Sequence, residues 1–126
     1  MKKVFTTVLF TLAFAFYCSS AFADSIVASY SCELKDGKTP EELQAVNSKW
    51  LKWVRTNVNQ NIESSVGSPV VGKLDHFIFV DTYPDLATWA AAQTALDSDA
   101  ASELENMFDE IAECTENRLW KLEATQ

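Results

Sequence analysis

The sequence predicts an α+β domain in which four antiparallel strands form one sheet and helices cover one of its faces. Three observations support this prediction. Segments with period-two and helical hydrophobic patterns follow one another in the order strand, helix, strand, strand, broken helix, strand. Two cysteines fall where the first and last strands of such a sheet would meet. An N-terminal leader directs the domain to a compartment in which those cysteines can form a disulfide.

Residues 1–23 have the order of a bacterial secretory signal peptide. A positively charged start precedes an apolar run, Val4 to Tyr17, and residues 21–23 (Ala-Phe-Ala) form a small-x-small cleavage site. The apolar run is short for a membrane span, although a permanent N-terminal anchor is the alternative interpretation. We therefore expect residues 24–126 to form a single mature domain that is periplasmic or secreted and has no membrane attachment after cleavage.

The acidic composition limits the partners of the mature chain. Of the 10 Lys and Arg residues, Lys2 and Lys3 lie in the leader, so eight remain against 18 Asp and Glu and the net charge becomes −10. Binding to nucleic acid or to an anionic membrane surface needs a basic face, so neither partner is expected. The acidity favours solubility, and a weaker alternative is an acidic helix that binds a basic protein.

Cys32 and Cys114 are expected to pair, because the third cysteine, Cys18, leaves with the leader. The disulfide would close a loop of about 80 residues and stabilise the fold by roughly 4.5 kcal/mol in the chain-entropy model. Two free thiols are the alternative. A redox pair is not expected, because a C-x-x-C spacing is missing.

The first half of the mature chain predicts a strand, a helix and a weak edge strand. Ser25 to Leu34 alternates between apolar and polar residues, as a half-buried strand does. Thr39 and Glu42 have the spacing of a capping box, with Pro40 at the first helical position, and the helix should run to about residue 57. Residues 62–71 contain Pro69 and predict a weak strand near the sheet edge.

The second half predicts the most apolar strand, an interrupted helix and a final strand. Leu74 to Val80 is apolar on both faces, so both faces should be covered. Residues 83–85 (Tyr-Pro-Asp) end this strand and cap the next helix, which residues 97–99 (Asp-Ser-Asp) interrupt. Residues 117–122 alternate again. The order matches the split βαβ, or ferredoxin-like, arrangement, in which the first and last strands are antiparallel neighbours.

This pattern resembles the dimeric α/β-barrel superfamily, whose best-known branch is the antibiotic-biosynthesis monooxygenases. The resemblance lies in the strand Ser25–Leu34, the helix 39–57, the strand Leu74–Val80 and residues 83–89 (Tyr-Pro-Asp-Leu-Ala-Thr-Trp), and it includes no reaction motif. It implies a homodimer whose two sheets meet through their helix-free faces and enclose a cavity. The superfamily includes cofactor-free oxygenases, binding proteins and haem-degrading enzymes. The haem-degrading enzymes use a helix-borne His, whereas His76 falls on a strand, so we expect no cofactor.

Candidate site residues are few. His76 could act as a general base near neutral pH, and Tyr30 could supply a phenol to a cavity. Aromatic walls suit a flat ligand, so the candidate ligand-binding residues are Trp50, Trp89, Phe77, Phe79 and Asp81. A packed core residue is the alternative for each aromatic one. The acidic residues between 97 and 105 lack calcium-loop spacing, and the chain has no His/Cys cluster for zinc, so no metal is expected.

Two functions are therefore predicted. The first is a small exported homodimer that binds a small apolar or aromatic molecule without a reaction. The alternative is a cofactor-free monooxygenase or isomerase that acts on an aromatic substrate, with His76 or Tyr30 moving a proton and tryptophans holding the ring.

Overall fold

The structure, a computed structural model, describes residues 24–125 and contains four strands and three helices in that range. In chain order these elements are β1 (Ser25–Leu34), α1 (Pro40–Asn57), β2 (Glu63–Gly67), β3 (His76–Tyr83), α2 (Leu86–Leu96), α3 (Ser102–Ile111) and β4 (Ala112–Leu122). The strands form one antiparallel sheet in the order β2-β3-β1-β4. The predicted α+β, ferredoxin-like class is confirmed, whereas the predicted signal peptide lies outside the described residues. Within the described range, no helix has the length and apolarity needed to cross a membrane.

The helix starts follow from local capping groups, as predicted. Thr39 Oγ1 accepts a hydrogen bond from the backbone N–H of Glu42 at 3.2 Å, and Glu42 Oε2 accepts one from the N–H of Thr39 at 2.9 Å. Asp85 Oδ1 caps α2 by accepting the N–H of Thr88 at 2.7 Å. The predicted interruption after α2 is also present, and it separates α2 from α3.

The strand ends differ from the sequence prediction. β2 stops at Gly67, just before Ser68-Pro69, while β3 begins at His76 and continues to Tyr83 rather than ending at Val80. Pairing explains the extension, because Tyr83 lies opposite Ile26 of β1 and the ladder runs unbroken to that point. β4 likewise begins at Ala112 rather than at residue 117, because β1 is long enough to pair with all of it.

The predicted disulfide joins β1 to β4. Cys32 and Cys114 lie directly opposite each other, next to a shift in register between Ser31 and Cys32, and they are 82 residues apart in the chain. Cys114 lies inside β4, whereas the predicted last strand, residues 117–122, begins after it. The bridge therefore joins the first strand of the described chain covalently to the last one.

The sheet has two unlike faces. The helix side carries two clusters of buried apolar residues, and Tyr30 and Phe108 pack against both. We call the other side the open face, because no helix covers it in the described chain. Val27 is buried there, but Ile78 and Trp120 remain 42% and 45% exposed.

Candidate functional site

A cavity of about 460 Å³ lies on the helix side of the sheet. Five aromatic side chains line it, namely Tyr30, Trp50, Phe79, Tyr83 and Phe108. This cavity lies within a single subunit, so it is distinct from the cavity between the helix-free faces of two subunits that the resemblance implied and that stays a prediction. It lies between the two core clusters, since Trp50 and Tyr83 belong to one cluster and Phe79 to the other.

A chain of three polar side chains forms one wall of this cavity. Asn47 Nδ2 of α1 donates to Ser64 Oγ of β2 at 3.0 Å, and Ser64 Oγ donates to Asp81 Oδ1 of β3 at 2.5 Å. Asn47 and Asp81 are only 6% and 5% exposed. Burial raises the pKa of Asp81 to about 6, and the hydrogen bond from Ser64 offsets only part of that effect.

Two further polar groups in the cavity have no partner in the described structure. The hydroxyl of Tyr83, a residue that is 1% exposed, and Nε2 of Gln93 are both buried without a hydrogen bond. Burial, followed by the nearby charge of Asp81, raises the pKa values of both Tyr30 and Tyr83. The phenols are therefore neutral at physiological pH. A buried polar atom without a partner costs about 1–3 kcal/mol, so a bound molecule that satisfied these atoms would gain that energy.

The charged groups that line the cavity are all acidic. Glu105 and Asp109 of α3 are exposed residues that contribute to the lining, while Asp81 lies deep in it. The cavity lining, as far as residues 24–125 show it, includes no Lys, Arg or His. The site therefore has a negative potential in an apolar surrounding, where charge interactions are weakly screened.

The structure brings together four of the residues chosen from the sequence. Tyr30, Trp50, Phe79 and Asp81 line the cavity. Asp81 is buried inside β3, beyond the predicted end of that strand at Val80.

The other candidates lie elsewhere. Trp89 packs against one core cluster without reaching the cavity, and Phe77 packs edge-on against Phe79 with ring centroids 5.1 Å apart. His76 lies on the open face, where it pairs with Glu33 of β1. The predicted grouping of His76 with the cavity aromatics is therefore not formed within one subunit.

Among the cavity residues that the sequence did not single out, three had a signal. Tyr83 continues the alternation of Phe77, Phe79 and Asp81, so it belongs on the same face of β3. Asn47 lies in phase with the apolar stripe of α1, and Gln93 lies four residues after Trp89 on α2. A polar residue in phase with an apolar stripe indicates a buried polar group.

A second polar cluster surrounds His76 on the open face. Its Nε2 is 2.5 Å from Glu33 Oε1, and its Nδ1 is 2.9 Å from Asp75 Oδ1. The hydrogen bond to His76 lowers the pKa of Asp75. Within residues 24–125 this is the one group with metal-ligand residue types close together, but both ring nitrogens are already bonded to carboxylates. The three side chains are between 39% and 63% exposed, as in an ordinary surface ion network.

Known proteins resemble this chain in structure and not in sequence. No protein-family model matches the chain, and no curated protein matches it by sequence. SnoaB, a cofactor-independent oxygenase from Streptomyces nogalater, is 12% identical with a TM-score of 0.63, and the alignment covers 82% of this chain and 97% of SnoaB. A NIPSNAP family protein of unknown function from Agrobacterium tumefaciens is 16% identical with a TM-score of 0.61, over 79% of this chain and 89% of that one.

A third similar structure is described as a dimeric protein of unknown function with a ferredoxin-like fold, from Bacteroides fragilis. It is 14% identical with a TM-score of 0.51, and the alignment covers 78% of this chain and 96% of that one. At such identities the likeness concerns the fold and does not extend to activity. The chain thus has a ferredoxin-like fold, as its sequence pattern indicated.

Proposed function

We propose that the mature domain binds a small aromatic molecule in the cavity between the sheet and the helices. The observation that carries this proposal is the aromatic lining around a buried polar centre whose hydrogen bonds are incomplete. The aromatic rings offer flat apolar walls, while Asp81, Tyr83 and Gln93 offer polar groups that can orient a ligand. The volume falls within the range of about 300–1,000 Å³ that small-molecule pockets occupy.

Tryptophan fluorescence tests this proposal, because Trp50 lines the cavity and Trp120 lies on the open face. A panel of aromatic compounds is titrated against the purified mature protein, with calorimetry as the second measurement. We expect Trp50→Phe to lose the ligand-dependent signal and Trp120→Phe to keep it. Failure of every compound to bind, or a signal that depends on Trp120 alone, would contradict the proposed cavity.

We infer that the domain is exported and cleaved after residue 23. The leader pattern supports this inference, and the paired Cys32 and Cys114 are compatible with an oxidising compartment. N-terminal sequencing of the protein recovered from a periplasmic extract and from the medium tests it. An uncleaved chain in the membrane fraction would indicate the anchor instead.

We also propose that a second copy of the domain covers the open face. Ile78 and Trp120 are substantially exposed on that face, and burying them against a partner would be favourable. The Bacteroides fragilis protein of similar fold is described as dimeric. Light scattering at several protein concentrations tests the proposal, and a monomer at all of them would exclude it.

A second candidate function is proton abstraction from the bound aromatic molecule, as in a cofactor-free oxygenase or isomerase. The specific observation is Asp81, whose pKa of about 6 makes it ionised yet poorly solvated at neutral pH, the condition of an effective general base. A proton would move from an acidic C–H or O–H of the ligand to the Asp81 carboxylate, with the Tyr30 phenol as donor to the developing negative charge. The similar structure of SnoaB, described as a cofactor-independent oxygenase, is compatible with this chemistry.

The reaction is separable from simple binding. Ligand C–H exchange in D₂O, followed by NMR together with oxygen uptake, reports proton removal directly. We expect Asp81→Asn to abolish exchange if this second function exists, and His76→Gln to leave it unchanged. Saturating ligand binding without exchange or oxygen uptake would leave binding as the function.

A further inference from the structure

We propose that the ligand of this cavity is an organic cation, a small aromatic amine whose ammonium group binds beside Asp81. This inference rests on the proposed function, because it names the chemical class that the same cavity takes. The inference goes beyond the proposed function because an aromatic ligand can be uncharged, whereas this inference requires a positive charge.

The first argument for a cationic ligand is the charge of the side chains that line the cavity. Asp81, Glu105 and Asp109 line it, and no basic side chain among residues 24–125 does. Asp81 forms no salt bridge in that range, and its described hydrogen-bond partner is Ser64. A buried carboxylate without a cationic partner is costly, so a ligand that supplies the positive charge gains most at this position. An anionic ligand would meet three carboxylates and no basic side chain, so charge repulsion would weaken its binding.

The second argument for a cationic ligand is the aromatic lining of the cavity. An ammonium group is attracted to the faces of aromatic rings, and Trp and Tyr bind cations better than aliphatic side chains do. Five aromatic residues surround the same space as the buried carboxylate. A metal ion is the less suitable cation, because a hard divalent ion takes six to eight oxygen ligands and this cavity is mostly apolar.

The third argument comes from the buried polar atoms that have no hydrogen-bond partner in the described structure. The hydroxyl of Tyr83 is fully buried without a hydrogen bond, and its oxygen can accept an N–H of the ammonium group. Tyr83 lies close enough to Asp81 for the carboxylate charge to raise the pKa of the phenol. Gln93 Nε2 is buried without a hydrogen bond of normal geometry, although Gln93 lies close enough to Tyr30 to lower the pKa of that phenol, so an oxygen on the ligand could accept a hydrogen bond from Gln93.

Three probes of nearly equal size and shape test the inference. Tyramine, tyrosol and 4-hydroxyphenylacetate share a phenol ring and differ in ending with an ammonium, a hydroxyl or a carboxylate group. Calorimetry and Trp50 fluorescence at pH 7.5 give the dissociation constants. We expect tyramine to bind at least about tenfold more tightly than tyrosol, and the carboxylate to bind more weakly than both.

Matched variants assign the preference to the buried carboxylate. We expect Asp81→Asn to weaken tyramine binding by about tenfold or more and to change tyrosol binding by less than about threefold. Asp75→Asn, an exposed carboxylate outside the cavity, should change neither. A double variant at the exposed rim, Glu105→Gln with Asp109→Asn, provides an independent arm and should weaken tyramine binding by about two- to threefold at low salt.

The outcomes separate this inference from the proposed function. Tyrosol binding as tightly as tyramine, or unchanged tyramine binding in both the Asp81 and the rim variants, would overturn the cation and leave an aromatic-binding cavity. Binding of other aromatic compounds from the panel without any of the three probes would also overturn it. Failure of all aromatic compounds to bind would overturn the proposed function itself.

Discussion

The two faces of β3 each carry a cluster of three polar side chains, and the surroundings of the two clusters are opposite. On the helix side, Asp81 joins Ser64 and Asn47 and is 5% exposed. On the open face, His76 joins Glu33 and Asp75, whose side chains are 46% and 63% exposed. The alternation of the strand places these clusters on opposite sides although they lie only five residues apart in the chain.

The difference shows that surroundings decide the chemistry of a carboxylate. The pKa of Asp75 is lowered, because His76 bonds its charged form, while burial raises the pKa of Asp81 to about 6. In the sequence, His76 was chosen as a candidate general base because of its residue type. Burial among aromatic side chains makes Asp81 the stronger candidate for ligand binding or proton transfer.

The largest expected effect comes from alanine substitutions at two neighbouring residues of β3 that lie on opposite faces of the sheet. Phe79→Ala removes a ring that is 6% exposed and packs edge-on against Phe77 and Phe108, so we expect a loss of about 3–5 kcal/mol in the free energy of unfolding. Ile78→Ala on the open face should cost less than about 1.5 kcal/mol in the monomer. Urea denaturation of dilute protein measures both, and equal losses would mean that the two faces are equally buried.

Asp81→Asn should stabilise the domain at neutral pH. The folded-state pKa of about 6 exceeds the unfolded value of 3.8, so the folded state binds this proton more tightly and stability falls as the pH rises between those values. Above pH 6 the cost to the native protein is roughly 3 kcal/mol, and the variant escapes it. Thermal unfolding should therefore show a gain at pH 7.5 that disappears below about pH 4.

Asp75→Asn is the matched control for that experiment. Its pKa is shifted in the opposite direction, so this variant should show no gain at pH 7.5. A comparable gain in both variants would indicate a general effect of reducing the negative charge of the protein.

Ile78→Lys should dissociate the proposed dimer. A lysine at this exposed position of the open face would bring a charge into the interface, and we expect the dimer dissociation constant to rise at least about tenfold. Leu86→Lys, at the exposed start of α2, is the control and should leave the association unchanged. Sedimentation across a range of concentrations measures both, and dissociation caused by Leu86→Lys alone would place the interface on the helices.

His76→Gln should have the smallest effect. It removes two exposed ionic contacts, and such contacts contribute about 0–1 kcal/mol. The affinity for an aromatic ligand should stay the same, because His76 does not line the cavity. A large loss of ligand affinity with the fold intact would move the site to the open face.

The sequence predicts best what its neighbouring residues decide. The capping box of α1 and the order of elements follow from residues a few positions apart, and the disulfide follows from the order of the strands. The end of β3 was predicted too early because Asp81-Thr82 looks like the end of an apolar run. Pairing with β1 continues to Tyr83, and pairing between distant segments is not visible in a local pattern.

The candidate site was predicted only in part for a similar reason. Trp50, Phe79 and Tyr30 were chosen because aromatic residues are conspicuous, whereas the burial of Asp81 depends on how α1 and the helices after β3 pack on the sheet. The cavity exists because two core clusters leave a space between them, and that space is a property of three-dimensional packing. Asn47 and Gln93 become informative once their apolar stripes are known to face this space.

The outer ends of β1 and β4 also have a topological consequence. Ser25 lies opposite Leu122, and Asp24 forms an ion pair with Lys121 at 2.7 Å. The start of β1 and the end of β4 therefore lie close together. A short linker could join these ends, and new ends could be opened in the loop at Val70 and Val71, which are 95% and 86% exposed. Such a circular permutant would keep every strand pairing while placing its new ends between β2 and β3.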